Sequence, residues 1–159
     1  MDTYGLKAAV FRLTGLYGPK QFGGEDHGWV ANFTIRTILG RPITIYGTGK
    51  QVRDILYVAD AVEAFNRFHQ AAKPGIYNIG GGLETMISLI ECIRLIEEIT
   101  GLKASISFGG ERKGDLKYFV CDIAKARKFL DWKPKVKPRE GIRKLAEWVK
   151  ANKRLFQEV

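Results

Sequence analysis

The order of hydrophobic and polar positions predicts strands that alternate with helices along most of the chain. Residues 7–13 form a short apolar run, which is typical of a strand buried on both faces. Alternating or short apolar runs predict further strands over residues 43–46, 52–58, 76–79, 104–108 and 118–121. Apolar positions at helical spacing predict helices over residues 29–39, 61–72, 89–100, 123–130 and 139–151. This alternation predicts an α/β fold.

Turn and capping residues predict how several of these elements begin and connect. The turn Gly47-Thr48-Gly49 lies between the strands at 43–46 and 52–58, so we expect these two strands to form a hairpin. Capping or first-turn residues predict the start of four helices: Asp60, Ser88, Asp122 and Pro138. One face of the helix at 61–72 is marked by Val62, Phe65, Phe68 and His69. On that face His69 is interpreted as a structural residue.

Composition and cysteine content add limits on the class of protein. The chain has 159 residues, of which 45% are hydrophobic and 27% charged, enough for one domain with a core. No apolar run approaches the ~18–20 residues of a membrane span. Residues 1–5 lack a secretory-signal pattern, so we expect a cytoplasmic protein. Cys92 and Cys121 are predicted to be reduced core thiols, because their spacing fits neither a redox motif nor a disulfide framework.

The positive charge of the chain lies in its last third. Residues 1–100 hold ten basic and ten acidic side chains, whereas residues 101–159 hold 16 and seven and so carry the whole net charge of +9. Most of the excess lies on predicted amphipathic helices without interleaved aromatic residues for base stacking. Solvated helix faces are therefore favoured over a nucleic-acid surface.

A series of short motifs resembles a known enzyme family. The motifs, in chain order, are RLTGLYGP at 12–19, ITIYGTG at 43–49, QVRDILYV at 51–58, YNIGGG at 77–82 and RKGD at 112–115. In this order and at these intervals they resemble the C-terminal half of the extended short-chain dehydrogenases/reductases, the NAD-dependent nucleotide-sugar epimerases and dehydratases. The resemblance covers about residues 4–148. Within the family, the segments at 21–30 and 49–54 are similar to those of the CDP-paratose 2-epimerase branch.

The resemblance assigns binding roles to five residues. Guanidinium groups match the geometry of phosphates, and the family places Arg53 and Arg112 on the pyrophosphate of a nucleotide-diphosphate sugar. It places Asp115 on a ribose hydroxyl, Tyr46 against the base and Thr14 beside the nicotinamide of NAD. From the residues alone, a local Arg53-Asp54 ion pair and a polar turn at 112–115 remain open. Gly15 stands where many members have a sugar-contacting asparagine, which leaves the sugar unassigned.

Two further segments suggest a ligand less strongly. Glu25-Asp26-His27 contains three metal-ligating residue types, but neighbours in one loop rarely converge on one ion, and we predict no metal site. The run Gly80-Gly81-Gly82 follows a strand and precedes a helix, as phosphate loops do. It lacks the G-x-G-x-x-G spacing, so close backbone packing is the favoured interpretation.

The family's NAD-binding glycine turn and its Tyr-x-x-x-Lys catalytic pair are not found in this sequence. Only Tyr46 and Lys50 have the required spacing, and they span a predicted turn rather than a helix, so we predict no catalytic residue. The resemblance implies that residues 1–20 and 52–82 are part of a Rossmann sheet, and that 21–51 and 83–159 form a small substrate-binding lobe. The chain would thus be a partial domain, the C-terminal part of a Rossmann-type enzyme.

Three hypotheses about function follow. The first is the nucleotide-sugar-binding portion of an NAD-dependent epimerase, inactive alone, which would self-associate or pair with a separate N-terminal half. The second is a stand-alone, non-catalytic nucleotide-sugar-binding module. The third is a basic nucleic-acid-binding domain, which steeply salt-dependent DNA binding would support.

Overall fold

Nine strands in four small sheets and five helices make up the described chain. A computed structural model describes residues 4–156. Three strand pairs are parallel: β1 (Ala9–Leu13) with β6 (Gly75–Ile79), β2 (Leu16–Tyr17) with β5 (Leu56–Tyr57), and β3 (Ile43–Tyr46) with β8 (Ile106–Gly109). The fourth sheet centres on β4 (Val52–Asp54), which is antiparallel to β7 (Met86–Ser88) and parallel to β9 (Tyr118–Phe119). The predicted mixed α/β fold is confirmed.

The helices lie close to their predicted positions. Their bounds are α1 (Trp29–Leu39), α2 (Val58–Ala71), α3 (Leu89–Thr100), α4 (Ala124–Leu130) and α5 (Pro138–Ala151), with 3-10 turns at Leu83–Thr85 and Lys153–Phe156. At the start of α3, the Ser88 hydroxyl accepts from the Glu91 amide, and the Glu91 carboxylate accepts from the Ser88 amide. This capping box and the left-handed Gly101 fix both ends of α3 as predicted.

The predicted hairpin between 43–46 and 52–58 is wrong. β3 pairs with β8 instead, and the 52–58 segment is divided into β4, β5 and the first residue of α2. The division falls at Ile55, whose amide donates to the Thr85 carbonyl and whose carbonyl accepts from the Thr85 hydroxyl at 2.7 Å. These bonds to a residue 30 positions later turn the strand out of its first sheet.

Asp60 does not cap α2, contrary to the prediction. The helix begins at Val58, three residues earlier than predicted, and Asp60 lies buried in its first turn. Its carboxylate accepts from the Val136 amide at 2.9 Å, and its carbonyl accepts from the Trp132 indole at 2.9 Å. Asp60 therefore connects α2 to the segment between α4 and α5.

Two hydrophobic clusters hold the elements together. The larger one joins α1, α3 and α5 to β3, and it includes the inward positions predicted for α5: Ile142, Leu145, Ala146 and Val149. The smaller one joins α2 and α4 to β6 around the fully buried Trp132. Cys92 lies in the first cluster and Cys121 in the second, both as free buried thiols, as predicted.

One face of the β1–β6 pair is exposed, although the apolar run at residues 7–13 is typical of a strand buried on both faces. Val10 is 51% and Ile76 46% exposed on that face. The other face carries Phe11, whose ring centroid lies 5.0 Å from that of Phe65 and 5.6 Å from that of Phe68, both on α2. The reason for the exposure is that α2 packs on the face that carries Phe11, which leaves Val10 and Ile76 uncovered among the described residues. His69 of α2 is exposed and not part of the core.

No helix within residues 4–156 is long and apolar enough to cross a membrane.

Candidate functional site

A cavity of about 680 Å³ contains all five of the predicted binding residues. Thr14 directly follows β1, Tyr46 ends β3, and Arg53 is the middle residue of β4. Arg112 and Asp115 lie in the connection between β8 and β9, where the Asp115 amide donates to the Arg112 carbonyl in a tight turn. The polar turn considered from the sequence is thus present, and its side chains line the cavity.

A buried carboxylate holds the inner end of the cavity. Asp54 is 1% exposed, and its Oδ2 accepts from the Thr14 hydroxyl at 2.9 Å and from the Gly82 amide at 3.1 Å. Its Oδ1 is buried without a hydrogen-bond partner among the described residues. Because neighbouring strand residues point to opposite faces, Asp54 does not pair with Arg53, so the local ion pair is not formed.

The Arg53 guanidinium is held by Asp115. Nη2 of Arg53 lies 2.7 Å from Oδ1 of Asp115, and its Nη1 donates to the Val52 carbonyl at 2.8 Å. The side-chain amide of Gln51 donates through Nε2 to Oδ2 of Asp115 at 3.3 Å and to the Tyr46 carbonyl at 2.6 Å. Gln51 therefore connects the Arg53–Asp115 pair to the end of β3.

The Arg112 guanidinium lies on the ring of Tyr46, 3.8 Å from its centroid. Two acidic residues of the loop before α1 meet this pair. Arg112 is 3.2 Å from Oδ1 of Asp26 and 3.7 Å from Oε1 of Glu25, and the Tyr46 hydroxyl donates to the same Glu25 oxygen. Tyr46 first, and then the two carboxylates, raise the pKa of Arg112 above its usual value. The guanidinium is thus charged throughout the physiological range.

These contacts form two polar groups along the cavity. Thr14 and Asp54 form the first, and the second runs from Arg53 across Asp115 and Gln51 to the Tyr46–Arg112 stack. Two guanidinium groups with exchangeable carboxylate partners suit a ligand that carries two phosphates and neutral polar groups.

The sequence did not assign Gln51, Asp54, Glu25 or Asp26 to this site. Their only signal was membership of the segments that carry the family resemblance. The considered metal cluster at residues 25–27 is not formed, since Glu25 and Asp26 turn to Arg112. Within the described part of the chain, no three His, Cys, Asp or Glu side chains are grouped as metal ligands would be.

The glycine run at 80–82 lies close to other parts of the chain. A Cβ at Gly80 would lie 2.3 Å from the Thr14 hydroxyl, and one at Gly81 would lie 1.7 Å from the Thr85 hydroxyl and 2.3 Å from the Ile55 carbonyl. This glycine run is packed against protein, as predicted, and the Gly82 amide already donates to Asp54. Thr14 is the one residue of the chain that we predict to lie near NAD.

Comparison with known proteins agrees with the fold and the motifs. The sequence matches the NAD dependent epimerase/dehydratase family over residues 1–80. It is 34% identical over 153 residues to CDP-paratose 2-epimerase of Salmonella typhi, an alignment that covers 91% of this chain and 45% of that protein. It is 31% identical over 156 residues to UDP-glucuronate 4-epimerase of Thermodesulfobacterium geofontis, covering 98% of this chain and 47% of the relative.

Solved structures show the same relationship. UDP-glucose 4-epimerase of Thermus thermophilus, in complex with NAD, superimposes with a TM-score of 0.84 at 32% identity, over 94% of this chain and 49% of the other. UDP-glucose 4-epimerase of Thermotoga maritima, with UDP-glucose, superimposes with a TM-score of 0.81 at 34% identity, over 90% and 46%.

The fold is that of the Rossmann-type short-chain dehydrogenase/reductase epimerases, as predicted. This chain belongs to the NAD-dependent epimerase/dehydratase family. It spans about half the length of the curated relatives that it matches.

Proposed function

We propose that this chain is the nucleotide-sugar-binding portion of an NAD-dependent nucleotide-sugar epimerase similar to CDP-paratose 2-epimerase. The observation that supports this proposal best is the convergence of Arg53, Arg112, Asp115 and Tyr46 on one cavity from three separate segments. In this assignment residues 21–51 and 83–159 form the substrate lobe, and residues 1–20 and 52–82 belong to the Rossmann sheet.

The ligand's diphosphate would replace the carboxylates that now hold the two arginines. Arg53 would exchange Asp115 for one phosphate, and Arg112 would exchange Asp26 for the other. Both ion pairs are at least partly exposed, and such pairs contribute only about 0–1 kcal/mol each, so a phosphate can displace the carboxylates. Asp115, once displaced, would accept a hydrogen bond from a ribose hydroxyl.

We propose that the chain has no epimerase activity on its own. NAD would be held mainly by residues outside this chain, with Thr14 beside the nicotinamide. Tyr46 and Lys50 do not form a catalytic pair, because the Tyr46 hydroxyl donates to Glu25 and its ring lies under Arg112. Proton transfer therefore has no general acid or base among the assigned residues.

Calorimetry with CDP and UDP tests the binding site. We expect binding by the unmodified chain, and Arg53→Ala or Arg112→Ala should weaken it about ten-fold or more, since hydrogen bonds to charged groups contribute about 1.5–3 kcal/mol. Arg67→Ala is the matched control, because Arg67 pairs with Glu63 on α2 and does not line the cavity. Unchanged affinity in both cavity variants would refute this assignment.

The exposed face of β1 and β6 supports a partner that covers it. Val10 and its partner Ile76 on this face are both more than 40% exposed, and one edge of β1 bonds to no strand among the described residues. Such surfaces rarely stay uncovered in solution. We propose that the chain self-associates through this face or pairs with a separately supplied N-terminal half of the enzyme.

Sedimentation and hydrogen exchange test the partner proposal. We expect association at tens of micromolar, reduced by Val10→Glu and unaffected by Lys150→Glu on the exposed side of α5. Neighbouring strand amides point to opposite edges. If the backbone amides of both Val10 and Phe11 are protected from hydrogen exchange in a monomer, the chain itself covers the unpaired edge of β1. That result would favour the second candidate, a stand-alone binding module. All four residues proposed to bind the nucleotide sugar line one cavity in this chain, and this observation keeps that candidate open.

A further inference from the structure

The carboxylate of Glu25 lies at the edge of the Tyr46–Arg112 stack, not over its face. Its Oε1 accepts from the Tyr46 hydroxyl, which projects from the ring edge, and the same oxygen is 3.7 Å from Nη2 of Arg112. A flat group that stacks on the guanidinium, or replaces it on the ring, would present its own edge to Glu25. Stacking on aromatic rings and guanidinium planes is how proteins commonly hold unpaired bases.

The second oxygen of Glu25 is available to a ligand. Within residues 4–156, both polar contacts of this carboxylate fall on Oε1, and the side chain is 51% exposed where it lines the cavity. A carboxylate can only accept hydrogen bonds. Oε2 would therefore attract an amino group on the edge of a base and repel a carbonyl oxygen at the same position.

We propose that Glu25 selects the base of the bound nucleotide and favours cytosine over uracil. This inference rests on the proposed nucleotide-binding function of the cavity. Cytosine and uracil have the same size and differ at position 4, where cytosine carries an amino donor and uracil a carbonyl acceptor. Acceptance from the cytosine N4 amine by a Glu or Asp carboxylate is an established form of base recognition.

Asp26 is the neighbouring acid, and its contacts do not fit this role. Its side chain is 86% exposed, and its one polar contact among the described residues is with Nη1 of Arg112, at 3.2 Å. The Tyr46 hydroxyl donates to Glu25 instead, so Tyr46 does not hold Asp26 at the edge of the aromatic ring. Asp26 thus provides a matched control of equal charge in the same loop.

The test compares CDP and UDP binding by calorimetry in the unmodified chain, Glu25→Gln and Asp26→Asn. We expect the unmodified chain to bind CDP about ten-fold more tightly than UDP, within the range for one discriminating base contact. In Glu25→Gln the ratio should fall close to one, because an amide both donates and accepts. That fall should come partly from tighter UDP binding. Asp26→Asn should keep the ten-fold ratio.

The outcomes separate this inference from the function on which it rests. If both nucleotides bind equally to the unmodified chain, Glu25 does not select the base, although the cavity is still a nucleotide site. If Glu25→Gln weakens both nucleotides by the same factor, Glu25 only supports the stack. If neither nucleotide binds, the proposed function fails, and the inference fails with it.

Discussion

Replacement of Asp54 tests how the inner end of the cavity is held. Asp54 is buried, and one of its oxygens accepts from both the Thr14 hydroxyl and the Gly82 amide. Asp54→Ala removes both bonds and leaves two donors without an acceptor. Hydrogen bonds to a charged group contribute about 1.5–3 kcal/mol each, so the free energy of unfolding should fall by about 3–6 kcal/mol.

Asp54→Asn should be less destabilising. Its single oxygen can take the place of Oδ2 and keep both bonds, while its amide nitrogen takes the place of Oδ1, which already lacks a partner within residues 4–156. Bonds to the neutral Asn oxygen contribute about 0.5–1.5 kcal/mol each instead of about 1.5–3 kcal/mol, so we expect a loss of about 2–3 kcal/mol, roughly half that of Asp54→Ala.

Urea unfolding followed by circular dichroism measures both variants. Asp122→Ala is the control, because the exposed Asp122 carboxylate accepts from the Ala124 amide at 2.8 Å, and loss of this one bond should cost about 1 kcal/mol. Equal destabilisation by Asp54→Asn and Asp54→Ala would show that the charge itself is needed, and would refute the hydrogen-bond account. A loss below 1 kcal/mol in Asp54→Ala would refute it as well.

Three further predictions concern other parts of the fold. Ser88→Ala should lower stability by about 1 kcal/mol. Hydrogen bonds from the Ser88 hydroxyl and amide lower the pKa of Glu91. The stability that depends on the charge of Glu91 should therefore be fully present at neutral pH and be lost as the pH falls through this lowered pKa. Urea titrations at several pH values measure this loss. Gly81→Ala should destabilise by about 3 kcal/mol through its clash with Thr85, whereas Gly110→Ala, with open space around it, should be neutral in the same titration. Burial raises the pKa of Cys121 to about 11, so the native chain should react slowly with a thiol reagent at about pH 8 and quickly in urea.

Sequence reasoning succeeded where the structure depends on neighbours in the chain. The ends of α3 were predicted because Ser88, Glu91 and Gly101 act within one turn of the helix that they bound. The division of the 52–58 strand was not predicted, because it depends on bonds between Ile55 and Thr85, which are 30 residues apart. The hairpin was wrong for the same reason, since β3 pairs with a strand some 60 residues later.

The candidate site shows the same division between local and distant contacts. The family resemblance led to the prediction that Arg53 and Arg112 line one site, and both line the cavity; their role on a phosphate stays a prediction. The acid that holds each arginine could not be assigned, because Asp115 and Arg53 are separated by 62 residues and Asp26 and Arg112 by 86. These partners meet only after β3, β4 and the β8–β9 connection have been brought together.

The carboxylates around the two arginines have a physical reason to be there. Two guanidinium groups in one cavity repel each other, and acids from the chain itself reduce that repulsion when no ligand is bound. A diphosphate would take over this role at both arginines, and the acids would then be free to accept other hydrogen bonds. Asp115 would turn to a ribose hydroxyl, and Glu25, already fixed by Tyr46, would meet the edge of the base. Replacement of the carboxylates by a diphosphate would thus let neighbouring residues bind the phosphates, the ribose and the base at the same time.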